Sequence, residues 1–132
     1  MEAICCKNEG HLLSINDVKA GSYEKTCYKG ISIDKLYTIY GIVIFRGSIK
    51  YLIFDDYEMV NWYPAELFII TDGKISSLWY YHYRGNNEFG ISAIWGYNEL
   101  VFSDEHYTGL CEQDIESLNL FMERKKQIDT IV

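Results

Sequence analysis

The sequence predicts an α+β chain that is mainly β: a small curled antiparallel sheet or barrel with an amphipathic helix at its C-terminal end. Three observations carry this. LYTIYGIVIF (36–45) and IKYLIF (49–54) are dense in β-branched and aromatic residues, which suit a pleated, half-buried surface. Turn signals recur at short intervals, in RGS (46–48), DDYEMVN (55–61) and TDGK (71–74). After Glu112 the apolar spacing changes from that of a strand to that of a helix.

Residues 1–35 mix polar and apolar positions. Gly10, Gly21 and Gly30 punctuate turns there, and SINDVKAGS (14–22) reads as a loop or one short helical turn. Strand character begins at Leu36. LYTIYGIVIF and IKYLIF, joined through RGS, read as a hairpin. DDYEMVN follows as a turn with acids and Asn61 at its corners, and WYPAELFII (62–70) is a third strand that Pro64 confines to an edge or to its start. ISSLWYYHY (75–83) is a further strand and RGNNEFG (84–90) a loop. ISAIWGYNELVF (91–102) reads as a strand with Gly96 as a bulge. Ile115, Leu118, Phe121, Met122 and Ile128 fall close to helical spacing, which predicts a helix over about 112–127 with Ile115, Leu118 and Phe121 buried against the sheet. Glu112, Asp114 and Glu116 open that helix and Arg124, Lys125 and Lys126 close it, the order its dipole favours.

At 132 residues the chain reads as a single domain, 1–132, long enough to bury a core without disulfides or metal. No apolar run reaches the roughly 18 residues of a membrane span. MEAICCKNEGHLLSI (1–15) lacks the basic start, continuous apolar core and small-residue cleavage site of a secretory signal, so the expected setting is cytoplasmic with reduced thiols and no membrane partner. Charge is unevenly spread. The net is −7, yet residues 51–116 hold two basic residues (Lys74, Arg84) against twelve acids. Such a field repels nucleic acid and attracts basic surfaces, although solubility alone also accounts for it.

Reaction chemistry finds little support. Cys5, Cys6, His11 and Cys27 lack the paired ligand spacing of zinc ribbons and fingers. Cys111 lies just before the expected helix, whose N-terminus would lower its pKa, but nothing else marks it as a nucleophile. His82, in LWYYHYRG, and His106, beside Asp104 and Glu105, lack an identified second group and pocket. Asp55 and Asp56 are neighbours on an extended backbone and so face opposite sides, which disfavours a shared cation. Phosphate loops and the GxSxG elbow are absent, and no cofactor is implied. The aromatics are interleaved with Asp and Glu, not with the Lys and Arg of a single-strand nucleic-acid binder.

The run from Gly30 to Gly73, with its strand–turn–strand ending in YLIFDD and its passage through WYPAELFII to TDG, resembles an SH3-like barrel segment. Such segments are associated with small bacterial cytoplasmic proteins of the toxin-immunity type, including immunity proteins of contact-dependent growth inhibition. The resemblance implies a non-enzymatic protein that binds a cognate toxin domain and occludes its active site. The charge adds that the toxin is basic, as a nuclease would be. The expected docking face is Asp55, Asp56, Tyr57, Glu58, Trp62 and Tyr63, where aromatics meet a charged rim. Tyr80, Tyr81 and Tyr83, with Asp104 and Glu105, form an alternative face. As rim charges, Asp55 and Asp56 would be replaceable by lysine with little cost to the fold. The rival readings are a small-substrate enzyme using His82 or His106, and a regulatory protein-interaction module.

Overall fold

The hairpin is the centre of the molecule. In the computed structural model, which describes residues 1–9 and 27–131, β1 spans Glu2–Cys5, β2 Leu36–Phe45, β3 Ser48–Phe54 and β4 Val60–Pro64. A 3-10 turn over Ala65–Leu67 leads into β5, Phe68–Asp72, followed by β6, Tyr80–Tyr83, and β7, Ile91–Gly96. Three helices come after the sheet: α1 Asn98–Phe102, α2 Asp104–Cys111 and α3 Ile115–Thr130. Arg46 and Gly47, between β2 and β3, both have positive φ (51° and 77°), the two-residue hairpin turn whose twist matches the strands it joins.

Ten residues long, β2 has β3 along one side, with β4 beyond it. Its other side is shared. Leu36–Thr38 pair with β1, which pairs onward to β5, while Gly41–Phe45 pair with β7, which pairs onward to β6. Every pairing is antiparallel. The sheet therefore forks and is not closed, which selects the curled sheet over the barrel. The fold is α+β, mainly β, with a helix at its C-terminal end.

Two apolar clusters lie on opposite faces. On one face Val43, Leu52 and Ile94 meet Leu100 and Val101 of α1, Leu110 of α2 and Phe121 of α3. On the other, Ala3, Cys5, Tyr37, Ile39, Ile53, Leu67 and Phe68 pack where β1 and β5 curl over the sheet. Trp79 touches both clusters. The seating of α1 depends on two glycines. Gly41 and Gly96 stand opposite each other in the β2–β7 ladder, and a β-carbon on either would lie 2.5–2.6 Å from Leu100 Cδ2. Their missing side chains form the socket that receives Leu100.

Several expected elements need correction. The strand read over 91–102 stops at Gly96, and NELVF is α1, with Leu100 and Val101 buried together. WYPAELFII is not one strand: Pro64 ends β4, and the 3-10 turn carries the chain across to β1. ISSLWYYHY contributes strand only at Tyr80–Tyr83. The terminal helix starts at Ile115 and not Glu112, with Asp114 as its N-cap accepting from Ser117 N. The residue facing α2 is consequently Ser117, packed on Gly109, and Ile115 is 71% exposed. Leu118 is partly buried and Phe121 fully so, its ring edge-on to Tyr40 at 5.4 Å. His11 and the SINDVKAGS segment lie outside the described residues.

Candidate interaction surface

The adjacent aspartates turn out to fasten the fold. Asp55 is 6% exposed, and its carboxylate accepts from Tyr57 N (3.0 Å), Met59 N (3.1 Å), Asn61 Nδ2 (3.1 Å) and Tyr63 Oη (2.7 Å). This is an Asx-type closure of the β3–β4 turn, with a buried tyrosine added. Burial, reinforced by the Asp55 carboxylate, pushes the Tyr63 hydroxyl far above its ordinary pKa. Asp56 looks the other way. It accepts from Ser32 Oγ, Tyr37 Oη and Lys35 Nζ, while its own N–H donates to Gly30 O. Burial alone would raise the Asp56 carboxyl, but these three donors outweigh it and hold it below the usual carboxylate range.

Most side chains of the first expected docking face are engaged within the fold and are not free rim charges. Asp55 and Tyr63 are buried, Asp56 is engaged with Lys35, and Trp62 packs on the Tyr107 ring of α2 at 5.8 Å. Only Tyr57 and Glu58 of that group stand fully in solvent, Glu58 with a φ of 58° at the tip of the turn.

The alternative face is open, and it is split by the sheet. Tyr80 and His82 turn toward Phe102 of α1, at 5.8 and 5.6 Å between ring centres. Arg84, just past β6, is held by Asp104 (3.2 Å) and by the Val101 carbonyl (3.0 Å), so the acids of α2 lie beside this end of β6. Glu105 is exposed next to Asp104. On the opposite face Tyr81 and Tyr83 are 52% and 60% exposed, and the Tyr81 ring lies 4.8 Å from Trp95.

Register extends this second face across four strands. Tyr51, Ile42, Trp95 and Tyr81 are successive cross-strand partners on β3, β2, β7 and β6. One step along, Ile49, Ile44, Ala93 and Tyr83 form a second such row. Partners directly opposite share a face, so the two rows make an uncharged platform on the side of the sheet away from the helices. Ile42 and Tyr51, at one end, abut the second core cluster, whereas Ile49, Tyr81 and Tyr83 are about half exposed. Trp95, Ile42, Ile44, Ile49 and Tyr51 were not singled out from sequence. A signal for them existed: β2 is apolar at both alternating sets of positions, as a strand covered on both faces would be.

The two histidines, His82 on β6 and His106 in α2, are placed differently. His106 is buried, and its Nε2 meets Tyr97 Oη at 2.6 Å; the acids Asp104 and Glu105 do not orient it. Burial lowers its pKa against the opposing pull of Glu99, itself paired to Arg124. A groove of about 940 Å³ between the 72–77 segment and the end of α3 is lined by Tyr40, Lys74, Lys125 and Asp129 among others, and by neither histidine. Cys111 ends α2, exposed, and does not begin a helix. Among the described residues no three His, Cys, Asp or Glu side chains are grouped to hold a metal ion, and no helix is long and apolar enough to cross a membrane.

Among the described residues, fold and surface define a forked antiparallel sheet, roofed by helices on one face and uncovered over part of the other. No family model, curated protein or solved structure matches the chain.

Proposed function

We propose that the protein is a binding protein of the toxin-immunity type, which neutralises a basic toxin domain by covering its active-site face and performs no chemistry of its own. The observation that carries this reading is the uncharged two-row platform on β3, β2, β7 and β6. From the exposures of Tyr81, Tyr83, Ile49 and their half-buried neighbours it presents roughly 400–500 Å² of apolar surface. That is within the size of the largest patch on a typical monomeric protein, a patch that is often functional. Tyrosine and tryptophan are the residues that anchor interfaces, because each buries a large rigid area at low cost in side-chain entropy.

Charge argues for the kind of partner. A second copy of the chain would bring another net −7 to the contact, whereas a basic domain would be attracted. A nuclease presents cations that hold phosphate, and an acidic protein seated over them excludes substrate. Steering by the field speeds the encounter, and the aromatic platform slows release.

The test asks whether a toxin domain is encoded beside the protein's gene and, with that domain in hand, measures binding kinetics and the survival of toxin-exposed cells. Trp95→Ala and Tyr81→Lys should each weaken binding by about thirtyfold or more, the usual effect of truncating an interface anchor, and should remove protection. Glu58→Lys, at the tip of the β3–β4 turn, should change both little. Platform variants that fold and still protect fully would sink the reading.

A further inference from the structure

We propose that β6 takes up an eighth strand: an extended segment of the partner in which apolar and basic side chains alternate. The inference rests on the docking reading above and specifies how the partner is held.

The argument starts from the ladder. Arg84 N donates to Ser92 O at 2.7 Å, so position 84 belongs to a pair bonded to β7. In an antiparallel ladder bonded and non-bonded pairs alternate. Tyr83, opposite Ala93, and Tyr81, opposite Trp95, are therefore non-bonded pairs, and their backbone N–H and C=O groups point away from β7. Among the described residues β6 pairs with β7 alone, so these groups form an open edge.

Among the described residues, the β4 and β5 edges are blunted and this one is not. On β4, Pro64 has no N–H, and Gln113 Nε2 occupies the Val60 carbonyl at 3.0 Å. On β5 the ladder is broken by a bulge between Glu2 and Ala3. YYHY contains no proline, lysine or bulge, the devices by which proteins protect an edge.

Chemistry on the two faces sets the incoming sequence. Side chains of an added strand would alternate between the platform, extending the Tyr81–Trp95 and Tyr83–Ala93 rows, and the helix side, where Asp104 and Glu105 stand in solvent. Residues 85–116 hold seven acids and no Lys or Arg, and Arg84 is already held by Asp104 and a carbonyl. Apolar side chains fit the first face and basic ones the second.

The experiment uses the full chain and three ten-residue peptides: alternating valine and lysine, alternating valine and glutamate, and a block of valines followed by a block of lysines. Amide exchange is followed by NMR. With the valine–lysine alternation, the Tyr81 and Tyr83 amides should slow at least tenfold, while His82, already bonded to β7, should change little. The other two peptides should bind at least tenfold more weakly. Tyr81→Pro removes an outward N–H and no bond to β7, so it should cost about tenfold more in peptide affinity than Tyr81→Ala. Peptide binding without slowing of the Tyr81 and Tyr83 amides, or equal binding of the alternating and block peptides, overturns the inference. Slowing that depends on protein concentration alone also overturns it, by assigning the edge to a second copy. Failed peptide uptake alongside platform-dependent protection from toxin would remove this inference and leave the docking reading, and peptide uptake without toxin binding would do the reverse.

Discussion

Replacing Asp55 with alanine should cost the fold about 3–5 kcal/mol, although the residue sits in a turn beside a solvent-exposed tyrosine. The carboxylate receives four donors, and only some recover a partner when it is removed. The amides of Tyr57 and Met59 belong to exposed residues and regain water. Tyr63 Oη is buried at the centre of the second cluster and would be left unpaired, a cost of about 1–3 kcal/mol, and losing hydrogen bonds to a charged acceptor adds about 1.5–3 kcal/mol more. Asp56→Ala is the control. Its Lys35 and Ser32 partners are exposed, and the Tyr37 hydroxyl, which also donates to it, keeps the Ser32 N–H as a partner, so the loss should be smaller, about 1–2 kcal/mol. Tyr63→Phe removes the donor that Asp55→Ala would strand, so the double variant should be less destabilised than the two single costs together. Urea denaturation followed by tryptophan fluorescence resolves these differences. With a slope of about 2 kcal/mol per molar for a chain of this size, the Asp55→Ala midpoint should fall by about 2 M. A loss below about 1 kcal/mol, or one equal to that of Asp56→Ala, would show that the turn does not depend on this carboxylate. It would restore Asp55 and Asp56 as interchangeable surface charges.

Further expectations concern the helices. Phe121→Ala should cost about 3–5 kcal/mol, the usual result for a core phenylalanine, while Ile115→Ala should change stability by less than about 0.5 kcal/mol; similar urea midpoints for the two would overturn the helix register described. Gly41→Ala should destabilise by about 1–3 kcal/mol by driving a methyl into Leu100, and trimming that residue in Gly41→Ala/Leu100→Ala should recover part of the coupling; strict additivity would show that no socket exists. His106, near Tyr97, Glu99 and Arg124, has a folded-state pKa depressed by burial, so the unfolded chain binds its proton more readily. Its stabilising contribution is complete above the unfolded value of about 6.5 and is lost as pH falls through the lower folded value. Urea midpoints measured between pH 7.5 and 5 should therefore fall more steeply for the wild type than for His106→Gln, and parallel slopes would contradict this.

Legibility in the sequence tracked how local each signal was. The 36–54 hairpin was readable because its composition and its two-residue turn act on neighbouring residues. The split of WYPAELFII was not, because β5 is drawn to β1 by pairing across more than sixty residues, visible only once Phe68 stands opposite Cys5. NELVF reads as strand because five residues are too few for a helical period to show, and what seats them as a helix is the Gly41–Gly96 socket under Leu100. The aspartates were read as surface charge because sequence displays their ionisation and not their donors, three of which lie four or fewer residues away or on the buried ring of Tyr63.

The platform was missed for a different reason, and that reason bears on function. An antiparallel strand covered on one face alternates apolar with polar residues, whereas one covered on both is apolar throughout. In β2, Ile42 and Ile44 alternate with Val43 and Phe45 without a charged residue between Leu36 and Phe45. β7 continues the pattern with Ala93 and Trp95 on the platform and Ile94 toward the helices. The helices account for one set of these residues and the β1–β5 curl for Ile42, while among the described residues Tyr81, Tyr83 and Ile49 keep about half of their surface in solvent. Docking of a partner, as proposed, would supply the rest of the second cover. Tyr81 contributes a cross-strand contact with Trp95, but the half-exposed surfaces of Ile49 and Tyr83 add little to folding that a polar residue would not. The residues that solubility would exclude are therefore the ones on which binding should depend.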